Sequence, residues 1–152
     1  MGDPEPKKMM VPRNCPSAQC DMADFAKLHA WRKAHALALN VHRVAICVRG
    51  PTYSTLRGQM IRAAMSIPAN IVEGRSQKSE REFARFLGYS LNSSRELEYH
   101  LMVARDLRVI TLSDFMSLRD QVVQVRKMLY GLLKRVAPSE DQKQQKSDVP
   151  TY

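Results

Sequence analysis

The chain has 152 residues, 44% of them hydrophobic, and 24 Lys and Arg against 15 Asp and Glu give it a net charge of +9. That length fits one domain with a modest core, and no apolar run reaches the roughly eighteen residues of a membrane span. The opening "MGDPEPKKMMV" lacks the apolar stretch of a signal peptide, so the sequence predicts a cytoplasmic protein with no membrane partner. Cys15, Cys20 and Cys47 form an odd set that suits a reducing compartment, and they read as free thiols.

Residues 1–22 hold Pro4, Pro6, Pro12 and Pro16 without apolar periodicity, and residues 138–152 are polar and bounded by proline. Both stretches read as flexible tails around a folded unit at 23–137. Inside that unit, helical periodicity predicts four helices, at 24–49, 54–74, 80–107 and 112–136. "RGPTYS" breaks the first pair. "EGRSQKS" breaks the second, with Gly74 as a helix C-terminal signal and Ser79 three residues before Glu82 as a capping box. Thr111 and Asp114 repeat the capping pattern before the fourth helix. Four helices joined by short loops predict an all-α, antiparallel up-down four-helix bundle.

The first helix carries apolar residues well past half of its circumference: Leu28, Trp31, Ala38, Leu39 and Ile46 on one side, Leu37, Val41, Val44 and Val48 on another. A monomeric bundle needs only one such stripe, so the second predicts burial against another subunit. His35 and His42, seven apart on the apolar side, read as buried or interface histidines. Arg32, Lys33 and Arg43 occupy the narrow polar face.

The second helix ends in "SIPANIVEG", residues 66–74. Pro68 removes the N–H that would bond the carbonyl of Ala64, which predicts a kink or local break. Asn70 falls either in the core seam, where a polar residue can specify register, or at the polar edge of a stripe centred on Ala64, Ile67 and Ile71. Gln59, Arg62, Ser66 and Glu73 form a polar strip that reads as a docking surface. In the third helix a seam of threes and fours runs through Phe83, Leu87, Ser90, Ser94, Leu97, Leu101 and Ala104; its two serines are candidate partners for Asn70. The fourth helix repeats that alternation through Phe115, Leu118, Val122, Val125, Leu129, Leu132 and Val136, without a miss.

"FAKLHAWRKAHALA", "LRGQMIRAAMSIPANIVEG", "EFARFLGYSLNSSRELE" and "MLYGLLKRV" closely resemble the bacterial four-helix bundle protein family, also known as the ribosomal-RNA intervening-sequence protein family. The resemblance spans residues 25–136 and rests most on the core from Arg62 to Gly74. It implies a ring-like homopentamer, and kinship with the accessory variability protein of diversity-generating retroelements, a basic pentamer that binds a reverse transcriptase and RNA. Asn92 departs from the family's usual glycine, and the cysteine-bearing N-terminal extension has no counterpart there.

No motif of catalysis is encoded. Glutamate never precedes a histidine by three residues, as bundle di-iron sites require. Cys15 and Cys20 lack a second ligand pair for zinc. No glycine loop cradles phosphate, so neither a metal nor a cofactor is expected. The charge excess lies in the folded segments, with +4 over 24–49, +3 over 50–78 and +3 over 111–137. Two non-catalytic readings follow. One is a nucleic-acid-binding accessory protein, its partner RNA, contacting phosphates through Arg32, Lys33, Arg43, Arg57, Arg62, Arg75, Lys78, Arg126 and Lys127. The other is a protein scaffold, with a reverse transcriptase as candidate partner. Assembly and packing fall to Trp31, His35, His42, Pro68, Asn70, Glu73, Ser90 and Ser94. Aromatic residues are few and not interleaved with the basic ones, so base stacking is not expected.

Overall fold

The computed structural model describes residues 28–136. They form α1 (His29–Cys47), α2 (Ser54–Arg75), α3 (Glu80–Asp106) and α4 (Leu112–Val136), with a 3-10 turn at Pro51–Tyr53 and no strand among the described residues. The last three helices match their expected spans to within one residue. The start expected for the first helix, the two tails, Cys15 and Cys20 lie outside the described residues.

Both expected caps are made. Ser79 Oγ accepts from the Glu82 N–H at 3.2 Å. Thr111 Oγ1 accepts from the Asp114 N–H at 3.0 Å while donating to the Asp114 carboxylate at 2.6 Å. Such caps stabilise a helix start by about 1 kcal/mol each. At the other end of α3, Arg108 adopts a left-handed φ of 57°. This lets the N–H groups of Arg108 and Val109 reach the carbonyls of Arg105 and Ala104, at 2.9 and 3.0 Å, and so closes the last turn.

The pairing of side chains fixes the topology. Arg62 meets Glu96, and Ser66 meets Ser93. Arg126 meets Glu98 on α3, and Asn40 of α1 meets Gln121 of α4. Along the α2/α3 boundary a rising number on α2 faces a falling number on α3, and the short connections at 48–53, 76–79 and 107–111 turn each helix back along the one before it, so neighbours are antiparallel. Each helix packs on the two beside it, and α1 sits diagonally from α3. The result is a four-helix bundle. Its core takes Leu37 and Val41 from α1, Met60 and Ile67 from α2, Leu87 and Leu97 from α3, and Val122 and Leu129 from α4, all 1% exposed or less.

The most extensive contact joins α2 and α3, and the unusual residues of "SIPANIVEG" explain it. Pro68 is buried, and α2 runs from Ser54 to Arg75 without the break its sequence predicts. Gly74 is also buried and inside the helix, not beyond its end. Its function is close approach: a Cβ there would stand 2.6 Å from Phe86 Cβ and 2.9 Å from Phe83 Cδ2. Ser90 Oγ donates to the Ile67 carbonyl at 2.9 Å, in the turn that holds Pro68. Asn70 lies at the half-buried edge, since Ala64, Ile67 and Ile71 hold the buried stripe. Its Nδ2 donates to the Ser66 carbonyl at 2.8 Å and to Ser66 Oγ at 3.1 Å, and not to Ser90 or Ser94. Ser66 Oγ is in turn 2.8 Å from Ser93 Oγ. The polar strip of α2 is therefore directed at α3 through Arg62 and Ser66. These two join a helix seam and are not a free docking surface.

Substitutions along this seam are tested by thermal denaturation. Gly74→Ala should destabilise the fold by about 1–3 kcal/mol, since the Phe86 Cβ is fixed to its backbone and cannot yield. Gly58→Ala, where an added Cβ meets nothing within 4 Å, should instead stabilise it by about 0.5–1 kcal/mol. Equal effects at both sites would disprove the close-approach account. Asn70→Ala should cost about 1 kcal/mol because it removes two hydrogen bonds, with the oligomeric state unchanged. A shift in oligomeric state would show that Asn70 specifies assembly.

Candidate nucleic-acid interface

The nine basic residues expected at a nucleic-acid site do not form one patch, because the bundle engages several of them internally. Arg57 is half-buried and donates to the Val48 carbonyl at 2.8 Å, satisfying the end of α1. Arg126 is half-buried between α4 and α3, with its guanidinium 3.3 Å from Ser94 Oγ and 2.5 Å from the Glu98 carboxylate. Arg62 pairs with Glu96 and bonds Gln59 at 2.9 Å. Arg75 lies over the Phe83 ring, 5.7 Å from its centroid, and Lys78 is exposed in the loop between α2 and α3.

Arg32, Lys33, Arg43 and Lys127 are exposed. Arg43 donates to Asn40 Oδ1 at 3.0 Å, and Asn40 donates across the helix boundary to Gln121 Oε1 at 2.8 Å. These bonds locate the α1/α4 side of the bundle. It has an unusual composition: neither α1 nor the stretch 121–136 of α4 contains an acidic residue. The antiparallel arrangement sets the start of α1 beside the end of α4, where Leu28, His29, Met128 and Arg135 line an open cleft of about 320 Å³. Arg135 lines this cleft and Lys33 lies one helical turn after His29, so these two share one region, and neither α1 nor the stretch 121–136 supplies a carboxylate to neutralise it; Lys127 and Lys134 recur seven residues apart on the outer face of α4, in one row with Asp120. Like charges gathered this way raise the local potential for a polyanion over a Debye length of about 8–10 Å.

Lys134 and Arg135 are the members that sequence reasoning passed over. Basic residues in the last turn of a helix complement its dipole, so alone they carry no functional signal. Only the placement of α1 beside the end of α4 joins Arg135 to Lys33.

The assembly residues separate in the same way. Pro68, Ser90 and Ser94 are buried within the chain, Asn70 is half-buried, and Glu73 is exposed. Trp31 is half-buried and stacks on His35, with centroids 5.1 Å apart and rings inclined by 9°. His35 and His42 are exposed in the single chain, as are Leu39 and Ile46, while Ala38 from the same expected stripe is buried. Among the described residues no cluster of three His, Cys, Asp or Glu side chains is placed to hold a metal. No helix among them is long and apolar enough to cross a membrane.

A crystal structure of a protein with unknown function from the S23 ribosomal protein family of Bacteroides thetaiotaomicron shares this fold, with a TM-score of 0.65 at 23% identity. The match covers 69% of this chain and 98% of that one. No curated protein matches the sequence. The family model described as 23S rRNA-intervening sequence protein matches residues 26–131, which takes in parts of all four helices. By that match the chain belongs to the 23S rRNA-intervening sequence protein family.

Proposed function

We propose that this protein is a non-catalytic, homopentameric accessory protein that binds RNA through phosphate contacts on the α1/α4 side of its bundle. The observation that carries the reading is the basic end of that side, where Lys33 and Arg135 lie by one cleft, with Lys127 and Lys134 exposed on the outer face of α4, and neither α1 nor the stretch 121–136 holds a carboxylate. Side chains of this kind neutralise backbone charge and release counterions, which binds RNA without reading its sequence. A pentamer would present five such surfaces, and the exposed Leu39 and Ile46 of α1 supply apolar area for subunit contact. Resemblance to the accessory protein of retroelements makes a reverse transcriptase the natural protein partner for such an RNA complex.

Salt titration of binding to a structured RNA tests the reading. Affinity should fall by orders of magnitude between about 50 and 200 mM salt, with little preference among sequences. Replacing Lys33, Lys127, Lys134 and Arg135 together by glutamine should weaken binding and reduce the logarithmic salt slope by about one unit for each phosphate no longer neutralised. The pentamer should persist in that variant, because the proposed subunit contact uses the apolar Leu39 and Ile46 of α1 and none of these four side chains. Absence of any complex at micromolar protein and low salt would refute the RNA reading in favour of a scaffold that binds only protein.

A further inference from the structure

Along the chain the aromatic residues are few and stand apart from the basic ones, but the packing of α3 on α4 brings the two kinds together. On α3, Asn92, Arg95 and Tyr99 follow at spacings of three and four, and on α4 Lys127, Tyr130 and Lys134 do the same. Helical geometry sets each trio within about 60° on its helix. Arg95 joins the two rows, since its guanidinium donates to the Tyr130 hydroxyl at 2.8 Å and to Asn92 Oδ1 at 3.3 Å.

Both of these acceptors are neutral, so Arg95 keeps its charge for a ligand, whereas Arg126 and Arg119 on the same boundary lie at the Glu98 carboxylate. Tyr99 leans on the His100 ring, with centroids 5.5 Å apart, and is still 62% exposed. Tyr130 is 39% exposed. Arg95, Lys127 and Lys134 are exposed as well. Of the acids on this side, Asp106 pairs with Arg105 at 2.7 Å. Asp120 stands seven residues before Lys127, about 10 Å along α4. The balance beside the two open rings is positive.

We propose that this α3/α4 face binds unpaired nucleotides of an RNA, with the Tyr99 and Tyr130 rings stacked on bases and Lys127 and Lys134 on phosphates of the same strand. The inference rests on the RNA reading above and adds to it the form of RNA that is bound. The mixture of groups selects this occupant. A duplex keeps the faces of its bases in the stack and offers the rings nothing, and an acidic peptide would engage the lysines but leave the rings unused. An unpaired strand presents a charged backbone together with free base faces, and aromatic rings and guanidinium planes are the groups that stack on them. The bond from Arg95 holds the Tyr130 side chain before a base arrives, so less freedom is lost on binding. Lys127 and Lys134 lie on the outer face of α4, between the rings and the cleft of Arg135, so one strand can pass from this face to the basic end of the bundle.

Anisotropy titrations with a labelled oligouridylate and with an RNA duplex of equal length test the assignment. Tyr99→Ala and Tyr130→Ala should each weaken single-strand binding by about 5- to 100-fold, as the loss of one stacked ring does, and change duplex binding by less than about two-fold. Neither removes a charge, so the logarithmic salt slope should stay at its wild-type value. Tyr99→Phe should bind as the wild type does, because the ring remains. Both tyrosines are exposed, so each variant should keep a near-wild-type melting curve. If the alanine variants bind the single strand as the wild type does, or lose single-strand and duplex affinity alike, while binding stays salt-dependent, the stacking assignment is wrong and the RNA reading stands. Displacement of the oligouridylate by polyglutamate as readily as by unlabelled RNA would assign the face to an acidic protein partner instead. Absence of a complex with either RNA would overturn both readings.

Discussion

The close approach of α2 to α3 is the constraint from which the rest of the bundle follows. Helices draw near only where side chains are small, and here Gly74, Ser66, Ser90 and Ser93 occupy the boundary. Gly74 admits the backbone of α3 at Phe86. The serines then satisfy their hydroxyls across the seam, since a buried hydroxyl without a partner costs about 1–3 kcal/mol. Among the described residues no buried side-chain nitrogen or oxygen lacks a hydrogen-bond partner. With this pair set, α1 and α4 can close the bundle only from the other side. Their contact brings Arg135 of α4 to the cleft at the start of α1, one turn before Lys33.

Internal pairing decides which cations remain available to a partner. Glu98 draws Arg126 into the α3/α4 boundary and lies 3.6 Å from Arg119, and Glu96 holds Arg62 at the edge of α2. These three arginines on α2 and α4 therefore owe their positions to α3, which carries five acids and four bases. The positive balance falls to the other three helices, +3 on α1, +2 on α2 and +3 on α4, because α3 holds most of the acidic residues of the bundle.

Exposure divides the apolar residues of α1 in a similar way. Ala34, Val41 and Ala45 enter the core beside Leu37, and their small size keeps α1 close to its neighbours. Leu39 and Ile46 face outward beside two histidines. So α1 fills the core mainly with small side chains around Leu37 and keeps the apolar area of Leu39 and Ile46 outside it.

Much of the architecture was legible in the sequence because it depends on local rules. Periodicity located α2, α3 and α4 to within a residue, and Ser79 and Thr111 marked helix starts because capping needs only residues three apart. The family was legible in the run from Arg62 to Gly74. Other features depended on what lies across a boundary, which no window of sequence contains. Gly74 looked like a helix terminator, since glycine commonly ends helices, but the distance to Phe86 makes it a point of close contact. Arg108 took the left-handed position after α3 without a glycine to signal it. Asn70 had two possible environments, and only the direction of α3 placed it at the edge with Ser66 as its partner. The basic site divided for the same reason. Charge can be counted along a chain, but whether an arginine meets a carboxylate or open solvent is decided by the helix packed beside it.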